Sequence, residues 1–168
     1  DGRLVTAKVI LVATGSTAYR DPALKGHELA ITSNEAFHLA KLPKKIVIVG
    51  GGYIAVEFAG IFHGLGVETT LINRGDKLLR GFDDDLRMGL AEALEKKGIR
   101  LVLGDQPVAI EKAGEGLVVR TKGGLSLEAG EGMLATGRKP NTEGLGLDRA
   151  GGETDGAGAI SVAEHSQS

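Results

Sequence analysis

No cysteine occurs in the 168 residues. Disulfide staples, thiolate metal sites and thiol redox chemistry within this stretch are therefore excluded. Nor does any apolar run approach the roughly 20 residues that a membrane-spanning helix needs, and no signal-peptide pattern is present. An excess of one charge sign is also lacking: 20 Lys and Arg against 22 Asp and Glu leave a net charge of -2. That balance argues against nucleic acid or an anionic membrane as the main partner. His27, His38, His63 and His165 form no pair at metal-ligand or triad spacing, so they read as structural or surface residues. No serine sits in a nucleophile elbow, and there is no internal repeat. What remains, 42% hydrophobic and 25% charged, is the composition of one ordinary soluble domain with a sizeable core. The chain opens at Asp1 without an initiator Met and closes in "GAISVAEHSQS", which reads as an internal piece of a longer polypeptide.

Residues 8–13, "KVILVA", are apolar and β-branched, the look of a strand buried on both faces. Residues 16–31 carry Pro22 and Gly26 and read as a loop. "TSNEAFHLAKLP" predicts a short helix, with Thr32 or Ser33 as cap, Glu35 at capping-box spacing from Thr32, and Pro43 beyond its end. Residues 46–49 form the next strand. The helix after it carries Ile54, Phe58, Ile61, Phe62 and Leu65 at spacings of three and four, with Gly66 as a left-handed stop. Ala55, Ala59 and Gly60 are small enough to let that helix lie close to a sheet. "VETTLIN" completes a βαβ unit of about 30 residues. A further helix at 84–97 has Asp83, Asp84 and Asp85 at its start and Lys96 and Lys97 at its end, the order that suits the helix dipole. The acidic run thus reads as a cap and not as a metal site. After "IRLVL" come three short strands, "PVAIEK", "LVVRTK" and "LSLEA", the last two joined at Gly123-Gly124. "GMLATG" follows as another strand. The fold class predicted is α/β: a Rossmann-like parallel sheet of βαβ units with an antiparallel three-stranded meander as crossover.

Within the βαβ unit, "GGGYIA" fits the pattern G-x-G-x-x-A. Gly50 would serve the turn, Gly52 the close approach of a pyrophosphate, and Ala55 the packing of helix on strand. Gly51, Tyr53 and Ile54 complete the phosphate-binding turn, whose exposed backbone N–H groups would receive the phosphates. The position about 20 residues on, where NAD sites carry a carboxylate for the ribose 2′-OH, holds the uncharged Asn73. Arg74 follows, and Arg80 lies six residues further. Two guanidiniums beside a ribose suit a 2′-phosphate, so the site reads as one for NADPH. Glu57 sits one helical turn beyond Tyr53. A solvated first-turn carboxylate explains it as well as a functional role does.

With these pieces together, the chain resembles the NADP-binding domain of the flavin-dependent disulfide reductases, the pyridine nucleotide-disulfide oxidoreductase family. The resemblance runs from "ILVATGS" to "ATGRKPNT" and somewhat beyond, and "GGGYIAVEFAGIFHGLGVETTLI" and "RGDKLLRGFDDDLR" carry most of it. It implies four parts: 1–15 as the end of a flavin-domain strand, 16–44 as a connecting loop and short helix, 45–137 as the NADP-binding domain, and 138–168 as a return toward the flavin domain. It also implies residue roles. Tyr53 would be a gate that covers the flavin and swings aside for nicotinamide, and Glu57 would pair with a flavin-domain Lys. Arg74 and Arg80 would hold the 2′-phosphate, and Gly137 would line the nicotinamide end. No catalytic residue proper falls within these residues. The complete enzyme implied is cytoplasmic and homodimeric, uses NADPH and FAD, and reduces glutathione disulfide. Trypanothione and mercuric reduction stay open as alternatives, as does a non-catalytic nucleotide-sensing domain. The FAD fingerprint, redox cysteines, flavin-contacting Gly-Asp and histidine base of the family would lie outside the 168 residues, and "GSTAYRDP" lacks the family's proline near Thr17.

Overall fold

The computed structural model describes residues 2–168. In chain order the elements are β1 (Ser16–Ala18), α1 (Ser33–Ala36), β2 (Lys45–Val49), α2 (Tyr53–Gly64), β3 (Glu68–Asn73), α3 (Asp84–Lys97), β4 (Arg100–Leu103), β5 (Pro107–Ala113), β6 (Gly116–Thr121), β7 (Ser126–Ala129), β8 (Glu131–Leu134) and β9 (Arg138–Pro140). Short 3-10 turns occur at His27–Leu29 and Leu147–Ala150. The chain divides into two compact units, one of residues 18–137 and one of residues 2–17 with 138–168.

In the larger unit a four-stranded sheet runs in the order β4-β3-β2-β8, every neighbouring pair parallel. Strand residues alternate between its faces, and both faces are covered. Val47, Val49, Ile72, Val102 and Leu134 pack against Ile110, Leu117, Val119, Leu127 and Ala129 of the antiparallel β5-β6-β7 meander. Ile46, Ile48, Leu71 and Met133 pack on the other side against Ala55, Phe58, Ala59 and Phe62 of α2 and Leu94 of α3. Double coverage is why these strands read as continuous apolar runs. The α/β fold with its parallel sheet and three-stranded meander is the one expected from the sequence.

Several local expectations hold, and others need correction. The hairpin between β6 and β7 forms, but its turn takes in Lys122 as well: Gly124 N–H donates to Thr121 O at 3.1 Å, and Gly124 itself has φ 89. The buried stripe of α2 is Ala55, Phe58, Ala59 and Phe62; Ile61 is 48% and Leu65 59% exposed. The face at Ala55, Phe58, Ala59 and Phe62 is turned to the sheet, which leaves Ile61 off that face, while Leu65 is the C-cap; Gly60 is exposed as well. Residues 8–13, expected as a doubly buried strand, form none, and Leu11 is 88% exposed. An extended apolar run is held as a strand by ladder partners, and no described strand pairs with this one. The loop expected over residues 16–31 contains β1 and a 3-10 turn. In the smaller unit β1 pairs with β9, where the Arg138 guanidinium donates to the hydroxyl and carbonyl of Ser16.

The helix starts are capped differently, which matters for the site. Thr32 and Glu35 close a reciprocal capping box on α1, the Glu35 carboxylate accepting from Thr32 N–H at 2.7 Å and from its hydroxyl at 2.6 Å. These bonds, with the Arg20 charge adding last, lower the Glu35 pKa from 4.5 to about 2. A depressed carboxylate pKa stabilises the fold fully above the unfolded value of 4.5, and that contribution is lost as pH falls toward about 2. Glu35 is half exposed, so screening reduces the effect, and Glu35→Ala should cost about 1 kcal/mol at pH 7. In urea melts the difference from wild type should shrink between those two pH values; a gap that persists at pH 2 would contradict the capping role.

Candidate dinucleotide site

The parallel strands bring their carboxyl ends to one edge of the sheet, and the glycines follow the central β2 there. Each glycine answers a different demand. Gly50 donates its N–H to Ile72 O at 2.8 Å and has φ 140; a Cβ on it would lie 2.3 Å from Ala135 O. Gly51 lies against Asn73, whose side-chain oxygen would be 2.4 Å from a Cβ. Gly52 is unlike both. Its φ of -83 and ψ of 177 suit any residue, and a Cβ there would meet nothing within 4 Å. No demand internal to the protein requires glycine at position 52.

Gly52 is also the N-cap of α2, and no side chain caps this helix. The first helical N–H to find a carbonyl is that of Val56, donating to Gly52 O at 3.1 Å. The N–H groups of Tyr53, Ile54 and Ala55 have no protein partner among the described residues. By contrast α1 has its capping box, and Asp83 accepts from Asp85 and Leu86 N–H at the start of α3. Uncapped first-turn donors with no side chain in front of them form an anion-accepting cradle. Ala55 is fully buried and Ile54 half-buried, so they fix the helix on the sheet.

Beside this turn, residues 74–82 fold back on the glycines. The Leu79 N–H donates to Gly51 O at 2.7 Å, with Leu79 at φ 52. Asn73 donates from Nδ2 to Gly75 O at 3.1 Å and to Lys77 O at 2.9 Å. Arg74 thus adjoins one residue that touches Gly51, and Arg80 adjoins another. Both arginines are exposed, and neither makes an ion pair or hydrogen bond among the described residues. Two exposed, unpaired arginines therefore lie on the loop that touches the glycine turn.

The base of α3 holds this loop in place. Asp84 bonds Lys77 at 2.9 Å and Arg87 at 2.7 Å, while Arg87 Nε donates to Leu78 O at 2.6 Å. The Lys77 ammonium first, and Arg87 with it, holds the Asp84 carboxyl below the usual carboxylate range. Sequence reasoning treats the three aspartates alike, as a cap. In fact Asp83 caps, and Asp84 is an ion-pair centre that steadies the arginine loop. Its spacing of three from Arg87 is the one signal that could have marked it.

Tyr53 is 58% exposed at the start of α2, and Glu57 is exposed one turn further. Neither side chain is bonded to a described residue. Gly137, just beyond Ala135, has φ 151 and accepts from Tyr19 N–H at 3.0 Å. The structure thus gathers Gly50, Gly51, Gly52, Ala55, Asn73 and the arginine loop by direct contact. Tyr53 and Glu57 share the helix start, and Gly137 joins through chain continuity with Ala135. A separate depression of about 370 Å³ lies among Lys44, Lys45, Leu117 and Glu128, at the opposite, amino end of β2.

Known proteins match this chain along its whole length. All of residues 1–168 match the family described as Pyridine nucleotide-disulphide oxidoreductase. A glutathione reductase from Burkholderia cepacia is 47% identical over 166 residues, 99% of this chain and 37% of the relative. A trypanothione reductase from Leishmania donovani is 44% identical over 162 residues, 94% of this chain and 33% of the relative. Among solved structures, LpdA from Mycobacterium tuberculosis superposes with a TM-score of 0.83 at 30% identity, over 94% of this chain and 34% of that one. The chain spans about a third of the length of the relatives it matches.

Proposed function

Because this chain belongs to the pyridine nucleotide-disulphide oxidoreductase family, we propose that it is the NADPH-binding domain of a glutathione reductase. The observation that carries the nucleotide reading is the uncapped start of α2, whose open N–H groups lie behind a glycine that the fold itself does not require. A pyrophosphate is an anion that would use those donors and the vacant side of Gly52. Arg74 and Arg80, free and exposed beside it, supply charge for a 2′-phosphate, and no acid stands at the end of β3 to receive a ribose hydroxyl. The glutathione reading rests on the Burkholderia relative and the others like it.

When bound, NADPH supplies a hydride to the family's flavin. The residues of this chain bind and orient. Gly50 and Gly51 shape the turn, Gly52 leaves the approach open, and Tyr53, Ile54 and Ala55 present backbone donors. Tyr53, exposed and unbonded, is free to swing as a gate over the nicotinamide path. Glu57 is likewise free to pair with a cation of the flavin-binding part, and Gly137 lines the nicotinamide end.

The 168 residues contain no cysteine, so they hold no dithiol through which electrons could pass to a disulfide. The purified chain should therefore bind NADPH, seen as a change in nicotinamide fluorescence. It should not oxidise NADPH above the buffer rate when glutathione disulfide is added. Turnover by the chain alone, or no binding at millimolar NADPH, would overturn the reading.

A further inference from the structure

On spacing alone, the significance of Asn73 is a missing negative charge. Its contacts say something else. Both Asn73 Nδ2 partners, Gly75 O at 3.1 Å and Lys77 O at 2.9 Å, are carbonyls, so the amide nitrogen must face them. Both amide hydrogens are then used inside the loop, and Oδ1, beside Gly51, is the one polar atom of the side chain without a bond among the described residues. The whole amide lies beside Gly51, where a Cβ would come within 2.4 Å of its carbon and oxygen and 2.6 Å of its nitrogen. Two further bonds close the same structure: Leu79 N–H to Gly51 O at 2.7 Å, and Gly104 N–H to Gly75 O at 2.9 Å. Asn73 is the half-buried side chain common to the glycine turn and the arginine loop.

We infer that Asn73 is a positioning residue for cofactor choice: it fixes residues 74–80, the loop that carries Arg74 and Arg80 beside the glycine turn. The inference rests on the reading that this site takes NADPH. It has a consequence opposite to the spacing rule. An acid at the end of β3 is the usual ribose ligand of NAD sites, yet an acid placed here would meet two carbonyl oxygens with no hydrogen to give them. Repulsion would open the loop, so installing the NAD-type residue should weaken NADPH without gaining NADH.

Asn73→Leu and Asn73→Asp are both close to Asn in shape, so each fits the space beside Gly51, and either serves if the other fails to fold. Calorimetry should show Asn73→Leu losing about tenfold in NADPH affinity, as expected for two neutral hydrogen bonds, with NADH unchanged. Asn73→Asp should lose more, and its NADH affinity should rise less than about twofold. Amide hydrogen exchange without nucleotide gives an independent readout, and Leu79 N–H should exchange faster in both variants. If wild type bound no NADPH, the cofactor reading would fail while the exchange experiment still tested the loop role. Three results would overturn the inference: a Leu variant with wild-type NADPH affinity, an Asp variant that binds NADH tenfold more tightly than wild type, or lost NADPH affinity with unchanged Leu79 exchange.

Discussion

Gly52→Val should leave the fold standing and remove nucleotide binding. The backbone at Gly52 is extended, with φ -83 and ψ 177, a conformation that β-branched residues adopt without strain. A Cβ there meets no atom within 4 Å, so no neighbour has to move. Stability should fall only by the cost of a valine in place of a glycine N-cap, about 1 kcal/mol. The valine methyl groups would, however, stand in front of the first turn of α2, where a pyrophosphate has to come within hydrogen-bond reach. Bonds from backbone donors to an anion contribute roughly 1.5–3 kcal/mol each. Blocking two or more should cost at least about 10²-fold in NADPH affinity, and NADH should suffer equally because the pyrophosphate is common to both. Gly50→Ala and Gly51→Ala should behave in the opposite way. A Cβ on Gly50 would lie 2.3 Å from Ala135 O at φ 140, and one on Gly51 would lie 2.4 Å from the Asn73 side chain. Both should lower stability, by about 1–3 kcal/mol. Thermal melts and calorimetric titrations on the three variants separate the two kinds of glycine. A Gly52→Val destabilised by clearly more than that N-cap cost, or one that binds NADPH normally, would contradict the assignment.

Replacing Arg74 and Arg80 together by Ala should abolish the preference for NADPH over NADH. The 2′-phosphate carries up to two negative charges, and each guanidinium can give it a charge-assisted bond. Both side chains are exposed, so screening leaves the lower part of the roughly 1.5–3 kcal/mol range for each. Two such contacts imply a preference of about 10²-fold, which the double variant should lose through weaker NADPH binding. NADH affinity should change little, since neither arginine has a partner in NADH and the Asn73 amide hydrogens are bonded within the loop. The wild-type preference should also shrink as salt is raised. A double variant that kept the preference, or wild type that bound both cofactors equally, would show that other residues select the phosphate.

Much of this architecture is legible from local chemistry. Continuous apolar runs mark strands covered on both faces, the Thr32–Glu35 spacing marks a capping box, and three glycines between strand and helix mark the turn. Periodicity identifies an element but not its neighbours, and the departures all have that origin. "KVILVA" has the composition of a buried strand, yet no described strand lies beside it. The buried stripe of α2 is Ala55, Phe58, Ala59 and Phe62, a rotation away from Ile61 that apolar spacing alone does not choose. In the site, the glycines and arginines are visible as letters. What ties them together is a backbone N–H at Leu79, the direction of the Asn73 amide, and the sharing of Asp84 between Lys77 and Arg87. These are contacts across a loop that has no period, and no spacing rule encodes them.

The most direct measurement is the change in backbone amide resonances when NADPH is titrated into the isotope-labelled chain. Saturable shifts should concentrate at Gly51, Gly52, Tyr53, Ile54 and Ala55 and at residues 74–80, and NADH should reproduce those of the glycine turn but not those of Arg74 and Arg80. Absence of shifts at millimolar NADPH, or shifts gathered instead around Lys44, Lys45 and Glu128 at the opposite end of β2, would contradict a dinucleotide site at the start of α2.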